Sequence, residues 1–224
     1  MNTDNSNHEL VTYKPPKLKN IDQRLAIRRE QALSGGYVPH FGLAEIRVLA
    51  EVAGQLSTRD RLNERNSLLV KVLFDTCLRV SEAIAIRPCD LFRSGNGWQL
   101  RVWTLKRKIW GTVVISSSLA MELQSYAYRY DISPKTRIFP VNASRVFQII
   151  QEAMNKAGMV KPDGVGTVHI LRHSGALERL RQSRNPQSVQ EQLRHSNIRG
   201  TMRYWKTLSH EESMRIQQEV DFQW

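Results

Sequence analysis

The sequence predicts a mostly α-helical protein with one small antiparallel β-sheet, an α+β fold. Apolar residues recur at helical spacing through most of the chain, and only the surroundings of Gly95-Asn96-Gly97 combine turn residues with short β-prone runs. With 224 residues, of which 41% are apolar, the chain can bury one main core. We therefore expect one principal domain with a shorter N-terminal appendage.

The N-terminal appendage is predicted to be too short for a domain of its own. Residues 1–20 are rich in Asn, Ser, Lys and Pro, and a Pro-Pro pair disfavours regular structure, so a flexible leader is expected. Residues 21–33 have the spacing of a short amphipathic helix that ends at a Ser-Gly-Gly sequence. We place the domain boundary so that residues 1–38 form the leader and helix, and residues 39–224 form the main domain.

The main domain is predicted to begin with two amphipathic helices, at residues 43–56 and 62–77, each with apolar residues on one face. A β-hairpin follows, because residues 98–103 and 112–115 are β-prone runs separated by a basic turn.

Helical spacing returns for the rest of the chain. The predicted segments are 118–130, 144–158, 168–181, 186–193 and 199–205. A last amphipathic stretch, residues 209–220, opens with Ser209 followed by His-Glu-Glu, a cap residue and an acidic first turn that favour a helix start.

The charge balance indicates a polyanionic partner. The chain has 33 Lys and Arg against 21 Asp and Glu, a formal net charge of +12, and 23 of the basic residues are arginine. Guanidinium groups bind phosphate oxygens bidentately and keep their charge at physiological pH. Nucleic acid is therefore the first expectation, while acidic membranes and acidic protein partners are alternatives that composition leaves open.

Nothing in the sequence indicates secretion, a membrane span or a zinc site. Residues 1–8 are polar and acidic, and no run of about eighteen apolar residues occurs. Cys77 and Cys89 lie in segments typical of the core or its edge, so both are expected to be buried reduced thiols. We expect a cytoplasmic protein without membrane contact and without a cofactor.

The most informative residues lie in the last third of the chain. His169, Arg172 and His173 share one predicted helix, His195 follows in a Leu-Arg-His-Ser sequence, and Tyr204 comes nine residues after His195. A side chain that cleaves a phosphodiester needs a nucleophile, a proton donor for the leaving oxygen, and cations that hold the charge of five-coordinate phosphorus. Each of these requirements has a candidate in this sequence.

Tyr204 is the candidate nucleophile. A phenol with a pKa of about 10 is mostly protonated at neutral pH, but nearby guanidinium groups favour the phenolate, and a histidine can accept the proton. The product would be a phosphotyrosine link that stores the energy of the broken bond, so strands could be rejoined without ATP. The alternative is a tyrosine that is only packed or exposed.

Arg79 and Arg172 are the candidate phosphate-binding cations. Arg79 has apolar neighbours in the sequence, where an unpaired guanidinium is costly, so a partner such as Glu82 or a bound phosphate is expected. Glu82, one helical turn later, either orients an arginine or histidine or forms an ordinary exposed ion pair. His173 is interpreted as a supporting residue of the site or as a structural imidazole at the edge of the core.

The remaining candidates move or donate protons. His169 and His195 are expected to exchange protons or to hydrogen-bond the phosphoryl oxygens. Lys106 and Lys108 lie on the predicted hairpin turn, from which an ammonium group reaches the leaving 5′ oxygen as a general acid or makes a plain phosphate contact. Only His169 and His173 have metal-ligand spacing and no carboxylate is close in sequence, so no metal site is expected.

Together these motifs resemble the active site of the tyrosine site-specific recombinases. His169-Ile170-Leu171-Arg172-His173 and Leu193-Arg194-His195-Ser196 are similar to the family's H-x-L-R-H and L-G-H-S boxes, and Tyr204 follows at the family's spacing. Arg79-Val80-Ser81-Glu82 looks like the family's R-x-S-E box. The resemblance covers roughly residues 40–224.

The resemblance implies the catalytic-domain fold of the family and its catalytic positions. These would be filled by Arg79, Lys106, His169, Arg172, His195 and Tyr204. Lys106 is chosen over Lys108 because it lies five residues before Gly111, as the family lysine precedes the next strand. The family implies a homotetramer on two sites in double-stranded DNA, with strand exchange through a Holliday junction. Residues 209–220 would then dock on a neighbouring protomer, or else pack on their own core.

The sequence departs from the family pattern in three places. Arg194 stands where the family usually has glycine, Lys106 lacks flanking glycines, and about 40 N-terminal residues cannot build the usual helical clamp domain. The chain is in this respect similar to the short fimbrial-switch invertases, so DNA binding is expected to be weaker or to be helped by accessory DNA-bending proteins. Further candidate DNA contacts are Arg24, Arg28 and Arg29 on the first helix and Arg107 and Lys108 on the hairpin.

Three classes of function are considered, and the first two are compatible with these observations. The first is a site-specific recombinase that acts on nucleoid or plasmid DNA in the cytoplasm. The second is a non-catalytic DNA-binding regulator that keeps the recombinase fold, which the missing clamp and Arg194 suggest. The third, a relaxase or replication-initiator nuclease, would need a His-hydrophobe-His metal motif that the sequence does not contain.

Overall fold

The computed structural model describes residues 37–104 and 108–218. The helices are α1 (Leu43–Ala53), α2 (Asp60–Asp75), α3 (Val80–Ala83), α4 (Ser117–Arg129), α5 (Ala143–Lys156), α6 (His169–Ser183), α7 (Pro186–Leu193) and α8 (Arg199–Gln218). The strands are β1 (Leu91–Ser94), β2 (Gly97–Thr104) and β3 (Ile109–Ile115). This arrangement confirms the predicted fold class, whereas the predicted helix at residues 21–33 lies outside the described residues.

The first helix forms where the sequence places its amphipathic run. Gly42 precedes α1, and its backbone N–H donates to Oε2 of Glu45 at 2.8 Å, which satisfies one of the amides that a helix start leaves free. The buried residues of α1 are Ile46, Leu49, Ala50 and Ala53. They form the face that the sequence predicts.

The sheet has three strands where the sequence predicts a two-stranded hairpin. β1 pairs antiparallel with β2, and β2 pairs antiparallel with β3. β1 was missed because it is four residues long and only Leu91 is buried, too short a segment to show alternation. Gly95 makes the tight turn to β2 with a φ of +58°. Leu100 of β2 and Val113 of β3 face each other in register on the buried side of the sheet.

Helix α6 joins two hydrophobic cores. Ile170 belongs to the larger core with α1, α2, α4, α5 and the sheet, whereas Leu177 belongs to a smaller core with α7 and α8. α6 passes so close to the end of α2 that a Cβ atom at Gly175 would overlap the carbonyl oxygen of Phe74. The first turns of α6, which contain three of the candidate site residues, are therefore fixed against α2.

Helix α8 is continuous where the sequence predicts two segments. It runs unbroken over Arg199–Gln218, so the interpretation of Ser209 as a helix start is wrong. Hydroxyl side chains are tolerated inside a helix when they bond back to the preceding turn, as Thr207 does when its Oγ1 donates to the carbonyl oxygen of Arg203 at 3.0 Å.

The two cysteines differ in environment. Cys77 is buried and Cys89 is exposed, and both are free thiols. The expectation of a buried thiol is therefore wrong for Cys89, which lies in the short 3₁₀ turn Pro88–Asp90 at the surface. None of the described helices has the length and apolar character that crossing a bilayer requires.

Candidate active site

Arg79 lies at the start of α3, where Glu82 holds its backbone. The Arg79 N–H donates to Oε2 of Glu82 at 2.9 Å, and the guanidinium Nη1 lies 3.4 Å from Oε1. The side chain of Arg79 is 40% exposed, whereas that of Glu82 is 1% exposed. The backbone of Arg79 is therefore firmly held, while its guanidinium group is loosely held and open to solvent.

Arg172 is buried and is held by main-chain carbonyl groups. Nη1 donates to the carbonyl oxygen of Cys77, just after α2, and Nη2 donates to that of Leu193, at the end of α7, at 3.0 Å. Burial lowers the pKa of Arg172, and the nearby charge of Arg79 lowers it further. Two cations in this proximity favour a bound anion, because an anion would offset both effects.

His195 is a neutral imidazole bound at both ring nitrogens. Nε2 lies 3.4 Å from Nη2 of Arg172, and Nδ1 lies 3.1 Å from Oγ1 of Thr201. Since a guanidinium group only donates, Nε2 is the acceptor and the ring proton lies on Nδ1. Burial and the charges of Arg172 and Arg79 lower the pKa of His195 to about 4. A phosphate group at this point would raise that pKa, because its charge favours the imidazolium form.

Tyr204 is packed in the smaller core, with its hydroxyl group on His173. Its side chain is 3% exposed, and Oη lies 2.7 Å from Nδ1 of His173. Burial raises the pKa of Tyr204 to about 12, although the charge of Arg172 acts in the opposite direction. Burial and His169 lower the pKa of His173 to about 3. At neutral pH the phenol is therefore protonated and the imidazole is uncharged.

His173 lies closer to the candidate nucleophile than the sequence suggests. His169 contacts His173, with ring centroids 4.6 Å apart and perpendicular planes, and His173 in turn contacts the phenol of Tyr204. Desolvation and the charge of Arg172 lower the pKa of His169. The sequence signals for His173 were its place one turn after His169 and at the end of the H-x-L-R-H box, whereas its contact with Tyr204 depends on how α6 packs on α8.

Arg194 is a site residue that sequence reasoning named only as a departure from the family pattern. It follows α7 with a φ of 54° and a ψ of 39°, in the left-handed region that favours glycine. Its Nη2 donates to Oε2 of Glu82 at 2.7 Å. The site therefore has a third guanidinium group, which shares one carboxylate with Arg79.

Of the remaining predicted residues, the structure describes only Lys108. Lys106 and Arg107, as well as Arg24, Arg28 and Arg29, lie outside the described residues. Lys108 is exposed in the turn just before β3, with a φ of 52°.

The described side chains form an environment suited to a phosphodiester. Arg79 and Arg172 provide guanidinium groups that can donate to phosphoryl oxygens, His195 lies against Arg172, and Tyr204 provides a protonated phenol beside a neutral imidazole. Within residues 37–104 and 108–218, no cluster of three or more His, Cys, Asp or Glu side chains is arranged to hold a metal ion.

Known proteins are similar to this chain in sequence. The Phage integrase family matches the chain over residues 45–211. A tyrosine recombinase of Pseudothermotoga lettingae is 30% identical over 154 residues, which cover 67% of this chain and 52% of that protein. The tyrosine recombinase XerC of Rhizobium meliloti is 31% identical over 155 residues, which cover 67% of this chain and 48% of that protein. The chain thus spans about half the length of these relatives.

Solved structures share the fold. The XerH site-specific recombinase bound to its difH substrate aligns with a TM-score of 0.65 at 18% identity, over 79% of this chain and 53% of that chain. The catalytic domain of bacteriophage HP1 integrase aligns with a TM-score of 0.57 at 26% identity, over 79% of this chain and 92% of that domain. Because the family match covers most of the sequence and the fold is that of recombinase catalytic domains, the chain belongs to the phage integrase family of tyrosine recombinases.

Proposed function

We propose that the protein is a site-specific recombinase that cleaves and rejoins double-stranded DNA through a 3′-phosphotyrosine at Tyr204. The observation that carries this proposal is the contact between Arg172 and His195, whose Nη2 and Nε2 atoms lie 3.4 Å apart. The exposed guanidinium of Arg79 lies beside them. Three groups that bind phosphoryl oxygens are thus grouped next to the helix that carries the tyrosine.

Cleavage is an exchange of one phosphate ester for another. Oη of Tyr204 attacks phosphorus, an Oη–P bond forms, and the bond from phosphorus to the 5′ oxygen breaks. The phenol proton passes to Nδ1 of His173, with which the hydroxyl group shares a hydrogen bond and whose pKa rises when the phosphate lies beside it. The departing 5′ oxygen takes a proton from Lys106. Attack by a 5′ hydroxyl group on the phosphotyrosine reverses these steps and reseals the strand without ATP.

The cations stabilise the five-coordinate phosphorus. Arg79 and Arg172 each bind a non-bridging oxygen. The negative charge on these oxygens increases as the tyrosine attacks, so the two guanidinium groups bind the five-coordinate state more strongly. The negative charge of the phosphate raises the pKa of His169 and His195, so that these imidazoles become donors to the same oxygens. No metal ion takes part in this scheme.

Lys106 is the proposed general acid, and Lys108 is the alternative. Both belong to the connection between β2 and β3, which also carries Arg107. Lys108 and Arg107 are proposed to contact the DNA backbone, where a single ammonium or guanidinium group contributes mainly salt-dependent affinity.

The proposed assembly is a homotetramer on two DNA sites that exchanges strands through a Holliday junction. The neighbours XerH, bound to difH substrate, and a lambda integrase dimer, bound to a COC′ core site, support a DNA-bound oligomer. The C-terminal part of α8 docks on a neighbouring protomer in this proposal, and accessory DNA-bending proteins assist assembly. The reaction takes place in the cytoplasm, on nucleoid or plasmid DNA.

The test is capture of the covalent intermediate. A nicked suicide duplex made from inverted repeats that flank the gene should trap a protein–DNA adduct that proteinase removes and phosphatase does not. The adduct should form equally well in EDTA, and Tyr204→Phe should bind the duplex without forming it. Absence of the adduct with the wild-type protein contradicts the proposal, and its loss in EDTA favours a metal-dependent nuclease.

A non-catalytic DNA-binding regulator is the second candidate, and the burial of the protonated Tyr204 phenol favours it. The same duplex distinguishes the two candidates. For a regulator, wild type and Tyr204→Phe would bind with equal affinity and neither would yield a covalent product.

A further inference from the structure

Arg194 combines two unfavourable features. Its backbone has a φ of 54°, a conformation in which any side chain is strained and glycine is preferred. Its side chain is only 10% exposed, and its Nε and Nη1 atoms are buried without a hydrogen-bond partner in the described part of the chain. Local costs of this kind persist where a functional gain offsets them.

The arginine is fixed between the sheet and α3. Its stem lies against β3, since a Cβ atom built on Gly111 would lie 3.3 Å from Cδ of Arg194. At the other end, Nη2 donates to Oε2 of Glu82 at 2.7 Å, and the Glu82 side chain is 1% exposed. The strongest interaction of this guanidinium is therefore with a buried carboxylate.

This carboxylate also determines how tightly Arg79 is held. Oε2 of Glu82 accepts hydrogen bonds from Arg194 Nη2 at 2.7 Å and from the Arg79 N–H at 2.9 Å. The guanidinium of Arg79 is left with Oε1 at 3.4 Å, longer than the ~2.7–2.9 Å typical of a strong pair between guanidinium and carboxylate. One negative charge is shared by two cations, and the more exposed cation has the weaker contact.

We propose that Arg194 is a positioning residue that neutralises Glu82 and so leaves the Arg79 guanidinium available to a DNA phosphate. This inference rests on the proposed function, in which Arg79 binds a phosphoryl oxygen. With glycine at position 194, Arg79 would be the nearest cation to the buried carboxylate, and the two would close into an ion pair. A phosphate group would then compete with Glu82 for the same guanidinium.

The availability of Arg79 can be measured without DNA. Phenylglyoxal modifies accessible arginine side chains, and peptide mass spectrometry reports the rate at each position. In Arg194→Gly, labelling of Arg79 should slow about tenfold, the change expected from one added charge-assisted hydrogen bond. Arg129, which is 59% exposed and paired with Glu64, is the internal reference and should label at an unchanged rate.

Two further variants separate this role from a structural one. Arg194→Lys keeps a charge beside Glu82, so it should label at a rate between those of wild type and Arg194→Gly. The double variant Arg194→Gly with Glu82→Gln keeps an acceptor for the Arg79 N–H but removes the carboxylate charge, so labelling should return to the wild-type rate. A purely structural role predicts no such recovery.

The inference is overturned if Arg79 labels as fast in Arg194→Gly as in wild type, or if the double variant labels as slowly as Arg194→Gly. Cleavage of the suicide duplex should fall in parallel with labelling across the variants, and independence of the two rates also overturns it. If the wild-type protein forms no adduct, the proposed function fails, whereas the labelling rates still report whether Arg194 controls Arg79.

Discussion

The two halves of the candidate site differ in how far they are prepared for reaction. The phosphate-binding half consists of Arg79, Arg172 and His195, and the nucleophile half consists of His173 and Tyr204. In the first half, main-chain carbonyl groups fix the guanidinium of Arg172, with an imidazole beside it. In the second half, the phenol is 3% exposed, hydrogen-bonded to His173, and has a pKa raised to about 12.

This difference indicates where the reaction is controlled. A donor that is fixed in advance stabilises a developing charge without reorganisation, so Arg172, the buried cation of the phosphate-binding half, is preorganised. A buried, protonated phenol is a poor nucleophile, so the nucleophile half must change before cleavage. DNA binding and nucleophile release are therefore separable steps in the proposed reaction, and variants should affect one without the other.

The most widespread expected effect disturbs both halves at once, because it acts on α6, which carries Arg172 and His173. Gly175→Ala places a Cβ atom against the carbonyl oxygen of Phe74 and forces α6 away from α2. The free energy of unfolding should fall by about 3 kcal/mol, as expected for overpacking against a rigid backbone. Gly97→Ala is the matched control, because a Cβ atom there has nothing within 4 Å, and should cost less than about 1 kcal/mol. Equal denaturation midpoints for the two variants would contradict the close contact of α6 with α2.

The next effect is confined to the phosphate-binding half. Arg172→Lys keeps the positive charge, but an ammonium group on a flexible stem cannot reproduce the planar fork that donates to Cys77 and Leu193. The rate of adduct formation should fall about 10³-fold, the cost of losing a fixed donor to developing charge. Arg129→Lys, at an exposed arginine paired with Glu64, is the control and should cleave normally. Near-normal cleavage by Arg172→Lys would show that charge alone is sufficient.

A smaller effect is expected in the nucleophile half. His173→Gln keeps a hydrogen-bonding side chain but removes the base that receives the phenol proton, so adduct formation should slow about 10²-fold while DNA affinity is unchanged. His210→Gln, at an exposed residue of α8, serves as the control. Faster cleavage by His173→Gln would mean that His173 restrains Tyr204 instead of activating it.

The sequence predicts the elements of this protein better than their contacts. α7 was predicted from its helical spacing with its observed bounds, and the structure shows why they are sharp: the Asn185 side chain caps the helix and Pro186 occupies its first position. β1 was not predicted, and the predicted break between two helices before Ser209 was wrong. The presence of β1 and the continuity of α8 both depend on which faces are buried in the folded protein. Periodicity reports the faces of single elements and not the packing between them.

The same limit applies to the site. The ordered set of motifs, from Arg79 through His169, Arg172 and His195 to Tyr204, was the basis for proposing a phosphodiester chemistry. The contact of His173 with Tyr204 spans 31 positions of the chain and that of Arg194 with Glu82 spans 112. Neither contact has a local sequence signature, because each forms only when separate helices pack together. The unexpected arginine at a position that favours glycine was the one signal of the second contact.

The last expected effect separates the two histidines by pH. Burial lowers the pKa of His173 to about 3 and that of His195 to about 4, from an ordinary value of about 6.5. The unfolded chain therefore binds more protons than the folded chain below about pH 6.5. The stability that each neutral imidazole contributes is complete above this pH and is lost as the pH falls towards its folded pKa.

Near pH 5 each histidine binds up to about one more proton in the unfolded chain than in the folded chain, and this difference makes the free energy of unfolding rise with pH. His195→Gln and His173→Gln should therefore both reduce the slope of unfolding free energy against pH. Below about pH 4 the effect of His195→Gln should fade while that of His173→Gln continues towards about pH 3, because only His173 remains uncharged there. Urea denaturation over this pH range gives the slopes, and identical curves for wild type and both variants would refute the difference in burial. If the slopes of both variants return to the wild-type slope at the same pH, the two imidazoles have equivalent environments. The two halves of the site would then not differ in this respect.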